Sequence, residues 1–109
     1  MTKYNSNFLG ALPFSDTTAQ LDLAASTALT YTVPGASNKQ YRIEFSFNPT
    51  TNVWVGYNVT ATVPTAGTLT SNHNIERNPG IRYARGGDVL SFISDAHITG
   101  AGFSLLEVP

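Results

Sequence analysis

The chain of 109 residues contains no cysteine. Disulfide frameworks, thiolate nucleophiles and thiolate metal sites are therefore excluded. A chain of this length fits one domain, and such a domain buries about two thirds of the surface that its unfolded form exposes. We therefore expect a hydrophobic core that needs no covalent links.

Charge is also scarce. Asp, Glu, Lys and Arg make up 12% of the chain, and the net charge is -1, whereas charged residues are about 25% of a typical soluble protein. The six basic residues are scattered, so we expect no nucleic-acid partner. A nearly neutral surface is weakly protected against self-association. Two interpretations stay open: a neutral soluble surface, or a surface covered by other subunits.

Long apolar runs are missing as well. None approaches the roughly 20 residues that a membrane-spanning helix needs, so we expect a soluble protein with no membrane partner. The first sixteen residues, MTKYNSNFLGALPFSD, lack a basic start followed by a continuous apolar run and a small-residue cleavage site. We expect no signal peptide.

Alternation of apolar and polar residues dominates what is present. The segment QYRIEFSF places four apolar residues on one side, which is typical of a half-buried strand. These residues are Tyr41, Ile43, Phe45 and Phe47. The segment NVWVGYNVTATV alternates from Val53 to Val63 and predicts a long strand, bent at Gly56. The turn NPTT between the two segments predicts an antiparallel hairpin.

Further short strands are predicted in ALTYTV, IRYA, DVLSFIS and GFSLLEV, with Leu29, Tyr31, Val33, Ile81 and Tyr83 pointing inward. The segment DTTAQLDLAAST is the one helical candidate, and its threonines weaken it. These patterns predict an all-β, single-domain antiparallel β-sandwich over residues 21–109. Residues 1–20 are predicted to form an extended N-terminal arm.

The sequence RYARGGD raises the question of a phosphate-binding loop. Such a loop needs glycines that open a helix, or a Lys followed by Ser or Thr after the last glycine. Here Gly86 and Gly87 precede Asp88 and a β-branched, aromatic run. We therefore predict a tight hairpin turn, with positive φ angles at the glycines and Asp88 bonding to the local backbone.

Catalytic and metal-binding patterns are not found. His73 and His97 stand in no metal-binding motif. Ser91, Ser94 and Ser104 stand in no nucleophile-elbow pattern. We expect no enzyme activity, no cofactor and no metal site.

The sequence is more informative about binding surfaces than about catalysis. Trp54 is predicted on the polar face of its strand beside Gly56, which would leave a shallow platform next to an exposed indole. Two interpretations stay open. Trp54 is covered by an N-terminal segment or a loop, or it anchors a partner subunit or stacks on a sugar ring.

The last two predicted strands carry apolar residues on both faces, which indicates cover on both faces. We predict that the second cover is another subunit of a cyclic oligomer. The arm segment NFLGALPFSD is also apolar and either crosses its own sandwich or reaches a neighbour. The candidate interface residues, in addition to Trp54, are Phe8, Leu9, Leu12, Phe14, Leu90, Phe92 and Leu106.

The phrase NPGIRYARGGDVLSFIS, the final strand GFSLLEV and the surface rich in Thr, Asn and Ser resemble small jelly-roll virion proteins of tailed bacteriophages. The resemblance covers residues 28–108 and points to the capsid cement or decoration type. It implies a jelly-roll fold and a homotrimer that binds the major capsid protein or another virion protein, without catalysis. It also implies a protein made in the host cytoplasm and located on the capsid surface. The alternative is a carbohydrate- or receptor-binding β-sandwich module of a phage fibre or a glycan-active protein.

Overall fold

The computed structural model describes residues 14–69, 71 and 73–108. These residues form eight β-strands and no helix. The strands are β1 (Thr17–Leu23), β2 (Leu29–Thr32), β3 (Gln40–Ser46), β4 (Val53–Tyr57), β5 (Ile75–Arg77), β6 (Ile81–Arg85), β7 (Val89–Ser94) and β8 (Ile98–Val108).

The strands of the described chain form two four-stranded sheets, which pack as a sandwich. One sheet has the order β1-β8-β3-β6 and is called sheet A; the other has the order β2-β7-β4-β5 and is called sheet B. All neighbouring strands are antiparallel. The predicted all-β antiparallel sandwich is confirmed. Each connection except the one from β4 to β5 passes from one sheet to the other.

Strand β1 shows how alternation selects the buried face. Its burial alternates along TTAQLDL, and Ala19, Leu21 and Leu23 pack against the core. The helical candidate is therefore a strand, because an alternating segment buries its apolar residues on one face only when it is extended. Residues 17–20, which were assigned to the arm, are the first half of β1.

Four aromatic rings fill the centre of the sandwich. Phe92 of β7 stacks on Phe103 of β8 with ring centroids 5.1 Å apart, and Tyr31 meets Phe103 edge-on at 4.9 Å. Phe45 lies about equally far from both phenylalanines, at 6.3 Å and 6.2 Å. Burial of each such side chain stabilises the fold by about 1.5–3 kcal/mol. Because these residues come from both sheets, they bind the two layers together.

The predicted hairpin between β3 and β4 is wrong. Strand β3 pairs with β6 and β8, whereas β4 pairs with β5 and β7 in the other sheet. The Asn48 side chain still caps the turn as expected, since its Oδ1 accepts from the Thr50 backbone N–H at 3.0 Å. The turn is thus a corner between the sheets, and turn residues alone do not distinguish a corner from a hairpin.

The hairpin predicted at Arg85–Asp88 is also wrong: the segment is a corner of the same kind, because β6 lies in sheet A and β7 in sheet B. Gly87 has a φ of 90°, and Asp88 Oδ2 accepts from the Arg85 N–H at 2.8 Å, as predicted. The positive φ predicted at Gly86 is wrong, and glycine is needed there for a different reason. A Cβ there would lie 2.3 Å from the Ala36 carbonyl oxygen and 2.5 Å from that of Gly35, so the glycine allows close backbone packing.

Strand β4 is shorter than predicted. It ends at Tyr57, and Asn58 follows with a φ of 57°. This left-handed conformation reverses the chain, and asparagine tolerates it better than most residues. The alternation beyond Asn58 therefore does not continue the strand, although Ala61 is buried.

Replacement of Gly86 with alanine tests the corner packing. We expect Gly86→Ala to lower the free energy of unfolding by about 2–3 kcal/mol, because the new methyl group would meet backbone that cannot move aside. Gly80→Ala is the matched control, since no atom beyond the two adjacent residues lies within 4 Å of its Cβ position. Urea denaturation of both variants measures the difference, and equal stabilities would contradict the close approach.

Candidate interaction surface at the free edge of strand β6

Strand β6 forms one edge of sheet A. Ala84 and Arg82 of β6 lie opposite Tyr41 and Ile43 of β3, whose side chains belong to the core. Arg82 and Ala84 therefore point into the sandwich, and the residues between them point outward.

The inward prediction for Ile81 and Tyr83 is wrong. Both lie on the outer face of sheet A, with 42% of Ile81 and 63% of Tyr83 exposed. The cause is parity: Ala84 takes the core position, and a shift of one residue moves every side chain of a strand to the other face. Two large apolar side chains are thus exposed on an edge strand.

The outer side of the β6 backbone is open in part, because the Ile81 carbonyl accepts from Arg82 Nη1 at 2.6 Å and the Arg85 N–H donates to Asp88. Phe45 N–H donates to the Gly80 carbonyl at 2.9 Å and Gly86 N–H donates to the Lys39 carbonyl at 3.0 Å. In this register the even-numbered residues of β6 bond to β3. Since alternate residues of an antiparallel strand point in opposite directions, the N–H groups of Ile81 and Tyr83 point away from the sheet. Such an edge can pair with another strand.

A cleft lies between the two sheets, next to this edge. It has a volume of about 190 Å³. Its floor is apolar and is formed by core side chains, while two charged residues stand at its mouth. The floor residues are Ile43, Phe45, Val55 and Leu90, and the charged residues are Glu76 and Arg82.

The charged residues at the mouth form an ion pair across the sheets. Arg82 Nε donates to Glu76 Oε2 at 2.7 Å, and a second hydrogen bond joins Arg82 Nη2 to Glu76 Oε1. The hydrogen bond from Arg82 lowers the pKa of Glu76, and the same bond raises the pKa of Arg82. Both side chains are 49% exposed, so solvent screens the pair and it adds little to the stability of the fold.

A second polar cluster lies beyond the end of β6. Asp88 accepts hydrogen bonds from the Tyr57 hydroxyl at 2.6 Å and from the Asn58 amide at 3.2 Å, in addition to the Arg85 N–H. Burial raises the pKa of Asp88, but these hydrogen bonds lower it further, so that it lies below its ordinary value. The bond to Asp88 raises the pKa of Tyr57.

The outer face of sheet B is covered in part by its own chain. A Cβ on Gly56 would lie 2.4 Å from the Val59 carbonyl oxygen, and Ala61 N–H donates to Ser91 Oγ at 2.9 Å. Segment 58–61 therefore lies against two small residues, Gly56 and Ser91. The platform predicted beside Trp54 is occupied by this segment, and Trp54 itself is half-buried between Arg77 and Ile93.

The remaining predicted interface residues fall into four groups. Leu90 and Phe92 lie in the core, 3% and 0% exposed, because these alternate residues of β7 point inward. They present no surface to a partner. Leu106 is 4% exposed in the single chain and lies outside the core cluster. Phe14 is 92% exposed, whereas Phe8, Leu9 and Leu12 lie outside the described residues.

Two outward-facing apolar residues of β7 and β8 are already buried, which corrects the inference that a second subunit must cover these strands. Ile93 is 8% exposed and Leu106 4% exposed in a single copy of the chain. Their cover is therefore supplied by this chain, and their burial is no sign of another subunit. The exposed apolar side chains of Ile81 and Tyr83 at the edge of β6 are better candidates for a contact surface. The period-2 pattern did not identify them, because it assigned both residues to the core.

Histidines and carboxylates form no metal-binding group within residues 14–69, 71 and 73–108. His97 Nε2 lies 2.7 Å from Asp22 Oδ1, and both side chains are exposed. His73 is exposed in a loop. Across the described ranges there is also no helix long and apolar enough to cross a membrane.

Comparison with known proteins gives no relative: no family model, no curated protein and no solved structure matches this chain.

Acidification tests the Asp88 cluster. A carboxylate whose pKa is lowered in the folded state stabilises the fold fully above its ordinary pKa, here 3.8 for Asp88. That contribution is lost as the pH falls through the lower folded value. The pKa values of Glu76 and Glu107 are lowered as well, so we expect the melting temperature to fall steeply below about pH 4.

The Asp88→Asn variant isolates one part of this effect. We expect a loss of about 1 kcal/mol at neutral pH, the size of a charged hydrogen-bond cluster that solvent partly screens, and a smaller fall in melting temperature on acidification. Asp95→Asn is the matched control, because the side chain of Asp95 is held only by a long hydrogen bond within the described residues, from the Asn52 amide at 3.4 Å. Thermal melts of the wild type and both variants at several pH values measure these differences. Identical acid dependence in wild type and Asp88→Asn would contradict the assignment.

Proposed function

We propose that this protein is a non-enzymatic virion structural protein of a tailed bacteriophage, which self-associates as a trimer and binds the capsid lattice as a cement or decoration protein. The observation that carries the proposal is the strand order of the described chain, β1-β8-β3-β6 facing β2-β7-β4-β5. This order is expected of an eight-stranded jelly roll, a fold shared by many viral capsid domains. Lectins and cupins also have jelly-roll folds, so the choice of a virion protein needs support from the surface as well.

The surface supports assembly better than catalysis. Charged residues are 12% of the chain, and several apolar side chains are exposed. Ile81 and Tyr83 stand side by side on the outer face of an edge strand, 42% and 63% exposed. Exposed apolar groups on an unpaired edge are liabilities for a monomer and are suited to a protein contact.

The proposed partners follow from this chemistry. Contacts made by apolar burial and strand pairing suit a second copy of the chain and a neighbouring capsid subunit. The protein would be made in the host cytoplasm and would act at the capsid surface. No step of this proposal needs a cofactor, a metal or a nucleic acid.

Light scattering over a concentration series tests the self-association. We expect a species of three chains, each of 11.7 kDa, whose dissociation changes little as salt rises from about 0.05 to about 0.5 M, because apolar contacts are not screened. Ile81→Ser combined with Tyr83→Ser should weaken association at least about tenfold, the result of removing about 1.4 kcal/mol. Val59→Ser, a change at another exposed apolar residue (38%), is the matched control. A monomer at every concentration would contradict the proposed self-association.

Sedimentation of particles tests the capsid contact. In a lysate of the phage that encodes this chain, we expect the protein to travel with the particles in a density gradient and to stay with them at high salt. A protein found only in the particle-free fractions would contradict the virion assignment.

A further inference from the structure

We propose that the free edge of β6 and the cleft beside it receive the N-terminal segment of a second copy of this chain, by strand addition. The inference rests on the self-association proposed above and names the surfaces that meet. The receiving surface consists of the outward backbone of Ile81 and Tyr83 together with the cleft floor. The donated segment is residues 1–13, which lie outside the described residues.

The edge supplies the backbone contacts. An extended segment placed beside β6 would bond to the N–H groups of Ile81 and Tyr83, which point away from β3. Main-chain bonds of this kind give affinity without sequence selectivity. The Arg85 N–H is already held by Asp88 Oδ2, so the available edge is short and centres on Tyr83.

The cleft supplies the selectivity. A strand added to β6 continues sheet A, and every second side chain then points inward over sheet B. The cleft lies at that position, with a volume of about 190 Å³ and a floor of core residues. It has room for one bulky apolar side chain. The Arg82–Glu76 pair at the mouth can move aside, because solvent screens an ion pair between exposed side chains, which is therefore held only weakly.

The N-terminal segment has the required chemistry and reach. Its sequence carries three bulky apolar residues, Phe8, Leu9 and Leu12. The described chain begins at Phe14, 92% exposed, just before β1. Thirteen residues reach at most about 45 Å when extended, so the segment can reach a neighbouring molecule.

The position of the two surfaces determines the symmetry. Strands β1 and β6 are opposite edges of sheet A, so the segment leaves one edge and is received at the other. A contact between different surfaces repeats head to tail, and it closes into a ring where the rotation between neighbouring copies closes; a trimer is such a ring. Pairing of β6 with β6 of a second copy would instead give a two-fold dimer.

Complementation between two full-length variants tests this arrangement. The donor variant, Leu9→Asp with Leu12→Asp, has a defective segment and an intact edge. The edge variant, Tyr83→Pro, removes the outward N–H and leaves the bonds to β3 in place, since proline is tolerated where the N–H faces solvent. We expect each variant alone to be monomeric at a concentration where wild type is trimeric. An equimolar mixture should form a dimer of two chains, because one intact contact remains.

Each other outcome has a defined meaning. Trimers formed by either variant alone, a mixture that stays monomeric, or a wild type that forms two-fold dimers would overturn this inference while leaving self-association intact. A wild type that is monomeric at all concentrations overturns the proposed self-association itself. Thermal melts check the fold of both variants. If Tyr83→Pro does not fold, Tyr83→Lys replaces it, because a lysine on an edge strand opposes strand addition.

Discussion

The stacking of Phe92 on Phe103 holds the two sheets together at their centres. The rings are nearly parallel, 10° apart, with centroids separated by 5.1 Å. They belong to β7 and β8, which occupy interior positions in sheet B and sheet A. Every other strand of the described chain pairs, directly or through one neighbour, with one of these two. The edges can therefore differ in length and composition without loss of the sandwich.

The fold class could be predicted from the sequence because alternation reports which residues share a face. Strand β3 illustrates this, since Tyr41, Ile43 and Phe45 are all buried. Alternation does not report which strand lies beside which. The turns at Asn48 and Gly87 were recognised correctly as turns, yet both connect different sheets. Which strands pair depends on contacts between residues distant in sequence, such as those of β3 with β8. Local sequence patterns do not reveal such contacts.

The candidate site was the least predictable part for a related reason. A pattern of Ile, Arg, Tyr and Ala predicts inward Ile81 and Tyr83, because larger apolar residues usually occupy the core. The structure gives the core position to Ala84 and turns Arg82 inward, where Glu76 of the other sheet neutralises it. This ion pair joins the two sheets. The six-residue separation of Glu76 and Arg82 gives no sign of it in the sequence.

These features connect the fold to its proposed role. A sandwich with a firmly packed centre can carry an edge strand that stays unpaired and apolar until another chain covers it. The proposed assembly would exploit that difference between centre and edge. The surface charge is too low for long-range attraction, so recognition would depend on the short-range contacts of β6.

Hydrogen exchange at the Tyr83 amide, followed as the protein concentration is raised, tests this account most directly. The account predicts that exchange slows by at least about tenfold as the chains associate, because strand pairing protects an amide that is otherwise open to solvent. The amide of Arg82, which faces β3, should change much less. Association without any added protection at Tyr83 would show that the chains meet elsewhere and would contradict the central role of the β6 edge.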